Sequence, residues 1–448
     1  MGLMDSLRTG ASGLGAASAA IDATAQNVSN VSTPGYTRRS VDQSVTDPIR
    51  RGLVQVGQGV TVSAITRDND GLLGVQRIDA AGTASRSSSH HGALNRVELL
   101  FDETQSDGVR SHLDAFFDSL VAATADPADE GLRGAVLAEA EDLAAAVART
   151  ADDLAAAQTQ FADEADAVIP TLNTLLSEVA ALNDQLIAAG GASSAPDIAD
   201  QIDRRLIDLG SEAGFTAHLE ADGTATVLLG GHAVVTRGEA RHIGGDIDGL
   251  TVQVDRGAVR VKPGGRLGGL ADAKQAITDY EGQLDAFAVA FTDSVNATLS
   301  NGFTLRGFPG VPVFAFDAID PAGSLTTDPS LQSADLAFAG ALPAHAGDAD
   351  NLAALLDLES QALVGDQTLG QALSTLTNAV ATDVATIASV ADRDAVIRND
   401  LDALNQTLHG VDLDEEATNL ITFQTAYQAA AKMIQVTDEL LSTLMDIT

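Results

Sequence analysis

The sequence predicts an α+β multidomain protein made of three parts. Terminal helices form a coiled-coil-like inner layer, and they are joined to a mainly helical-bundle domain that carries a small β-rich insert. Three observations predict this fold. Apolar residues recur every seventh position at both chain ends, helical spacing fills most of the middle, and one stretch alternates valines between turn signals. A length of 448 residues fits about three domains at roughly 150 residues each.

The expected boundaries follow these patterns. The terminal helical core takes residues 1–35 and 410–448, and the β-rich insert takes residues 211–264. The helical domain takes residues 36–210 and 265–409, with β-rich segments at 36–67 and 302–343. Because the two ends belong to one part, the chain leaves the terminal core and returns to it.

The end of the chain carries a regular apolar pattern. We call its seventh-residue positions the C-terminal row: Leu413, Leu420, Tyr427, Ile434 and Leu441. Phe423 and Leu444 each lie three places after a member of that row. A strict seven-residue repeat is typical of a helix that packs against another helix.

The start of the chain has the same spacing, on a helix predicted from about Leu3 to Ser29. Its members form the N-terminal row: Leu7, Leu14, Ile21 and Val28. A single helix of this kind is marginally stable alone in water. We therefore expect the two terminal helices to pair with each other and with copies of themselves.

The segment after the first helix predicts a turn and then extended chain. Pro34 disfavours helix at Thr33, and Gly35 can adopt a positive φ. From Tyr36 to Arg67 the alternation of valines predicts strands.

Helical spacing returns from about 71 to 125, and Asp126-Pro127 predicts the start of a long helix from 128 to 189. Pro170 is expected to kink that helix rather than end it. A short helix follows at 197–209.

The β-rich insert is predicted by two turn signals. Asp222-Gly223 lies between β-rich runs, and valines alternate on both sides of Asp255-Arg256-Gly257. Beyond it, 267–299 is predicted as helix, 302–343 as short strands and loops, and 350 onward as helix.

Charge and composition exclude several classes of protein. The net charge is −38, so we expect neither nucleic acid nor an anionic membrane as a partner, since both need basic patches. There is no cysteine, which excludes disulfides and thiolate metal sites. No apolar run of about 20 residues predicts membrane insertion, and no signal peptide is predicted. The sequence thus suggests a cytosolic protein or one that is exported without a leader.

Sites for chemistry are scarce. Gly264–Gly269 lies between a strand and a helix, as a phosphate loop does, but it lacks the spacing and the lysine of one. Gly244–Gly249 matches one fragment of a calcium repeat, and His90-His91 diverge on a helix. Tight turns explain both glycine stretches better, and we predict no cofactor, no metal and no catalytic residue.

The termini carry a family resemblance. Ser12-Gly13-Leu14, Asn27-Val28-Ser29-Asn30 and Thr33-Pro34-Gly35-Tyr36 resemble the N-terminal signature of bacterial flagellar rod, hook and hook-associated proteins. The C-terminal segment resembles the hook-associated proteins of the hook–filament junction, through these motifs: residues 410–416, Asn419-Leu420, Phe423-Gln424, Tyr427-Gln428-Ala429 and Lys432-Met433-Ile434.

This resemblance implies a structural role in a ring that joins hook to filament. It implies these partners: copies of the chain itself, the hook protein, the next junction protein on the filament side, and an export chaperone that binds the C-terminal region. It also implies type III export to an extracellular flagellum, with terminal helices that are disordered in the monomer and fold on assembly.

The expected self-assembly residues are those of the two rows, with Phe423 and Leu444, and those of the N-terminal signature: Asn27, Asn30, Pro34, Gly35 and Tyr36. Another axial protein, of hook or rod, is the nearest alternative. An exported wall-cleaving hydrolase or an acidic binding protein is a more distant one.

Overall fold

The computed structural model describes residues 2–51, 54–101, 108–254, 257–345 and 347–447. They form two compact units. The terminal unit comprises Met1–Ser85, Val168–Gly265 and Arg393–Thr448, and the central unit comprises Arg86–Ala167 and Arg266–Asp392. The three-part division expected from the sequence has other boundaries, and it stays a prediction.

The terminal unit begins with helix α1 (Leu3–Asn30) and a ribbon of strands. Strands β1 (Arg39–Val45) and β4 (Val60–Arg67) pair antiparallel, with a register shift between Asp42 and Gln43. Strands β2 (Ile49–Arg51) and β3 (Val54–Val56) form a second antiparallel pair. Helix α1 packs on β1 and β4, which agrees with the predicted helix, turn and extended segment.

The β-rich insert forms two small antiparallel sheets after helix α5 (Pro196–Ala213). The first is four-stranded, in the order β5 (Thr216–Leu219), β6 (Ala225–Leu229), β7 (His232–Thr236) and β8 (Glu239–Ala240). The second is three-stranded and contains β9 (Ile243–Asp246), β10 (Gly249–Val254) and β11 (Gly257–Val261), with β10 in the middle. The hairpin predicted at Asp222-Gly223 joins β5 to β6, and Gly223 has a φ of 87°. Asp255 and Arg256 of the second predicted turn lie outside the described residues.

Helices supply most of the remaining described residues. They are α2 (Gly71–Glu98), α3 (Val109–Ala123), α4 (Glu130–Ala189), α6 (Gly265–Asn301), α7 (Asp350–Asp357), α8 (Leu369–His409) and α9 (Leu413–Ile447). Between α6 and α7, β12 (Phe314–Ala315) and β13 (Thr326–Thr327) form a short antiparallel pair. The core of the central unit is aromatic: Phe291 lies 4.8 Å from Phe314 and 5.6 Å from Phe116 between ring centroids.

One predicted helix start was two residues too early. Helix α4 begins at Glu130, and the side chain of Asp129, not Asp126, accepts the N–H of Leu132 at 2.9 Å. Asp126 instead accepts the N–H of Ala128 within the preceding turn. An aspartate just before a helix can accept an N–H of the first turn, and in this helix Asp129 rather than Asp126 does so. Helix α4 continues through Pro170, as expected.

The α+β multidomain fold class is confirmed: terminal helices, a helical domain and small sheets are all present. Within the described part of the chain, no helix combines the length and apolar character that crossing a membrane requires.

Candidate self-assembly surface

The two terminal helices pair antiparallel within the terminal unit. A Cβ placed on Gly10 of α1 would lie 2.9 Å from Ile434 Cγ1, and one placed on Gly13 would lie 3.7 Å from Ala430 Cβ. As α1 advances, its neighbours on α9 therefore move back along the chain. Glycine and alanine allow this close approach because they keep the two backbones free of bulky side chains between them. The buried residues of α1 are mostly small: Asp5, Gly10, Ala16, Ala17, Ala20, Ala23, Thr24 and Asn27.

The N-terminal row lies beside this contact. Leu7, Leu14 and Ile21 are half-buried, and Val28 is 41% exposed. The helix pair therefore buries small residues and leaves much of the apolar row uncovered. Uncovered apolar rows of this kind are suited to further helices.

The C-terminal row is also only partly covered. Leu413 is 50% exposed and Tyr427 is 39% exposed. Half-buried members are Leu420, Ile434 and Leu441, together with Phe423. The side chain of Leu444 lies outside the described residues. Buried positions on α9 are Glu416, Ala430 and Thr437, and further apolar side chains are exposed: Ile421, Met433, Val436 and Leu440.

The N-terminal signature residues bind within their own subunit. Asn27 is 1% exposed, and its amide donates to the carbonyl of Arg39 at 2.9 Å. Its oxygen accepts from the N–H of Arg39 at 2.8 Å and from the hydroxyl of Tyr36 at 2.9 Å. The Asn27 side chain thus pairs with both backbone groups of Arg39, as a neighbouring strand would, and holds the start of β1 against α1. Burial raises the pKa of Tyr36 to about 12, although the charge of Arg39 opposes the shift.

The turn after α1 is held by a second set of contacts. Asn30 accepts from the hydroxyl of Thr33 at 3.1 Å. Gly35 has a φ of 72°, which confirms the positive φ expected there. The carbonyls of Pro34 and Gly35 accept from Arg204 at 3.3 and 3.4 Å.

Beneath the turn lies a buried charge cluster that sequence reasoning missed. The side chain of Arg39 is fully buried and donates to Asp200 at 2.6 Å and to Asp197 at 2.8 Å. Arg67 donates to the same Asp200 at 3.1 Å, and the hydroxyl of Thr37 also bonds Asp200. Burial by itself would lower the pKa of Arg39, but the bonds to Asp200 outweigh it and raise that pKa.

A further ionic contact joins the start of α9 to the same region. Arg38 donates to Glu416 at 2.7 Å and to Glu415 at 2.8 Å, and the Glu416 side chain is 2% exposed. The N–H of Arg38 donates to the carbonyl of His409 at 3.1 Å, and His409 Nδ1 lies 3.2 Å from Asp68. Arg38 therefore fixes the turn between α8 and α9.

The two glycine motifs belong to a helix start and a hairpin. Gly265 to Gly269 lie in the first turns of α6, and Gly269 is so close to helix α2 that a Cβ would approach Arg86 O to 2.3 Å, so this glycine permits a backbone contact. Gly245 and Gly249 belong to the β9–β10 hairpin. Among the described residues, no group of three or more histidines or carboxylates is placed to hold a metal ion.

Comparison with known proteins matches three parts of the chain to family models. The model described as flagellar hook-associated protein FlgK helical domain matches residues 94–314. A flagella basal body rod protein model matches residues 7–37. The model for the C-terminal part of the flagellar basal body rod FlgEFG proteins matches residues 409–447.

Relatives match the chain over nearly its whole length. It is 27% identical to flagellar hook-associated protein 1 of Bacillus subtilis (strain 168), with 98% of this chain and 97% of that one covered. It is 23% identical to flagellar hook-associated protein 1 of Salmonella typhimurium, with 97% and 98% covered. Over nearly its whole length the chain is therefore similar to the flagellar hook-associated proteins. It is a structural component of the flagellum, and it assembles there with other flagellar components.

A solved structure shares the fold. It is the flagellar hook junction protein FlgK from Burkholderia pseudomallei, which matches 74% of this chain and 99% of its own length with a TM-score of 0.63 and 14% identity. The family's fold therefore persists at low sequence identity.

Proposed function

We propose that this protein forms the adaptor ring between the flagellar hook and the filament, and that it assembles through α1 and α9. The observation that carries the proposal is the incomplete cover of the terminal rows. Val28, Leu413 and Tyr427 are 41%, 50% and 39% exposed although they lie on paired helices. Burying such side chains against neighbouring copies removes apolar area from water at about 25 cal/mol per Å².

The junction, rather than the rod or the hook, is favoured by the middle of the chain. Models of rod proteins match only its two ends, whereas residues 94–314 match a hook-associated helical domain. We propose copies of the chain, the hook protein and the next junction protein as partners. An export chaperone would bind α9 before assembly, while its apolar residues are uncovered.

A position beyond the cell surface completes the proposal. The protein would leave through the flagellar export channel and act as a structural adaptor without catalytic activity. The absence of cysteine is compatible with this route of export, and a net charge of −38 keeps free subunits apart.

The experiment is complementation of a deletion of this gene in the source bacterium. We expect deletion cells to carry hooks without filaments and to lose filament subunits to the medium, and the wild-type gene to restore filaments. Gold-labelled antibody should mark the boundary between hook and filament. Labelling along the whole hook or in the rod would contradict the junction role, and cell-wall hydrolysis by the purified protein would favour the hydrolase alternative.

A further inference from the structure

The turn that follows α1 forms one wall of a cavity of ≈ 240 Å³ in the terminal unit. Pro34, Gly35 and Tyr36 line this wall. The opposite side combines apolar side chains of α2, α5 and β5 with two carboxylates, Asp203 and Asp208, which are paired with Arg67 and Arg205. The apolar residues are Val75, Ile78, Ile207, Ala217 and Leu219. A cavity of this composition can accept an apolar side chain from outside.

Arg204 lines the same cavity and lacks a carboxylate partner among the described residues. Its guanidinium donates only to the carbonyls of Pro34 and Gly35, at 3.3 and 3.4 Å. The other arginines of the cavity are paired: Arg77 with Asp402 at 2.8 Å, and Arg205 with Glu178 at 2.7 Å. In a chain with a net charge of −38, an arginine without a carboxylate is a natural place for a second copy to bind through its acidic surface.

The start of α9 has the complementary chemistry. Leu413 is 50% exposed, and it stands between two exposed aspartates, Asp412 and Asp414. Asp412 already caps the helix by accepting the N–H of Asp414 at 2.9 Å. The carboxylate of Asp414 has no hydrogen-bond or ion-pair partner among the described residues. Leu413 does not line the cavity of its own chain.

We propose that this cavity receives Leu413 from a second copy of the chain, while Arg204 pairs with Asp414 of that copy. The inference rests on the self-assembly in the proposed function, and it gives Leu413, the first member of the C-terminal row, a specific partner surface in the neighbouring copy. The two surfaces differ, so the contact is head-to-tail, and repetition of a head-to-tail contact gives a ring when its rotation closes and a helical array when it does not. It also explains how the Pro34–Tyr36 turn, which lies off the apolar rows, takes part in assembly.

Cross-linking tests the contact directly because the chain has no cysteine of its own. Two single-cysteine proteins are prepared, Asn69→Cys at the cavity and Leu413→Cys at the tip of α9. They are mixed and oxidised, both on isolated hooks and as concentrated soluble protein. We expect a disulfide-linked dimer that contains one chain of each kind, because the two cysteines meet only between copies.

The matched control replaces Leu413→Cys with Asp400→Cys, at an exposed position on α8. It should give at least about tenfold less mixed dimer, which corresponds to 1.4 kcal/mol. Equal yields with Leu413→Cys and Asp400→Cys, or no mixed dimer with Leu413→Cys, would overturn the proposal. If the wild-type protein does not bind hooks but the concentrated protein cross-links as expected, the junction role fails and this contact stands.

Charge reversal gives an independent test. Arg204→Glu and Asp414→Arg should each lower hook-bound protein by about tenfold or more, and the double variant should recover most of the loss. Asp400→Arg makes the same charge change at an exposed residue that does not line the cavity, and it should bind as the wild type does. Circular dichroism melting confirms that each variant is folded. Wild-type binding by both single variants, or a double variant no better than either, would contradict the pairing. If a charge variant fails to fold, the cross-linking result decides.

Discussion

At the residue scale, Asn27 shows how a family signature can have an internal role. Its side chain makes three hydrogen bonds that hold Arg39 and Tyr36 against α1. Because Asn27 is 1% exposed, these bonds have no water to replace them. The residue therefore shapes the turn that any assembly surface depends on, whether or not it contacts another subunit.

We predict that Asn27→Ala destabilises the terminal unit by about 2–3 kcal/mol, because buried donors and acceptors are left unpaired. Urea unfolding followed by circular dichroism measures the loss. Asn30→Ala is the matched control: its side-chain bonds are exposed, so it should change stability by less than about 0.5 kcal/mol. Similar losses for the two variants would show that the buried bonds of Asn27 contribute nothing special.

Tyr36 gives a pH-dependent prediction. Burial raises its pKa from 10.0 to about 12, so between these values the unfolded chain releases the proton while the folded chain retains it. The folded state then binds more protons, and stability falls as pH rises through that window. We expect Tyr36→Phe to lose less stability than the wild type between pH 10 and 12, as measured by urea unfolding at each pH. Parallel losses would show that this hydroxyl titrates alike in both states.

Residue-scale prediction from sequence reaches its limit at the charge cluster. The positive φ of Gly35 was predictable because it depends on its neighbours alone. The pairing of Arg39 with Asp200 joins residues 161 positions apart, and no local pattern marks it in a chain with 63 acidic residues. A buried arginine needs carboxylate partners, but which carboxylates pair with it is decided by the fold and not by the local sequence.

At the element scale, each terminal helix has one face that packs against the other terminal helix and another face that is left exposed. The rows of leucine and isoleucine predicted helices and a helix partner, and α1 and α9 do pair. Small residues take part in this contact, since Gly10 lies against Ile434 and Gly13 against Ala430, while most large side chains of the two rows are half-buried or exposed. A pattern based on large apolar residues does not reveal this, because glycine and alanine contribute little apolar area to the pattern.

Ile434 and Val436 separate the two faces. Ile434 lies against Gly10 within the subunit, whereas Val436 is 43% exposed. We predict that Ile434→Asp abolishes the helix pair, because a charge replaces an apolar side chain at a close contact at a cost of about 2–4 kcal/mol, which is more than a marginal pair in the free subunit supplies. The main melting transition, that of the central unit, should stay unchanged. Val436→Asp should change monomer stability by less than about 0.5 kcal/mol yet prevent assembly.

Circular dichroism melting and restoration of filaments in deletion cells measure the two effects. Glu439→Ala, at another exposed position on α9, should leave both unchanged. A Val436→Asp protein that supports normal filaments would place the assembly surface elsewhere on α9.

At the scale of the whole molecule, the central unit buries large side chains and the terminal helices bury mainly small ones. The central unit has an aromatic core, with Phe116, Phe287 and Phe291 each no more than 3% exposed. Four of the buried residues of α1 are alanines, and those of α9 are Glu416, Ala430 and Thr437, so burial along the terminal helices removes little apolar area from water. The apolar composition predicted sizeable cores, but it does not predict that the buried phenylalanines lie in the central unit rather than on the terminal helices.

This imbalance leads to a prediction about the free subunit. Ordering the backbone costs on the order of 1–2 kcal/mol per residue, and contacts between small side chains offset little of that cost along α1 and α9. We therefore expect limited proteolysis of dilute monomer to remove the first and last few tens of residues and to spare the central unit. Protein bound to hooks should resist cleavage at both ends, because neighbouring copies cover the exposed members of the two rows. The cleavage sites can be read by mass spectrometry after a time course with and without hooks. Ends that resist the protease equally in dilute monomer would mean that the helix pair is stable alone, so that folding of the termini would not be the step that restricts assembly to the hook.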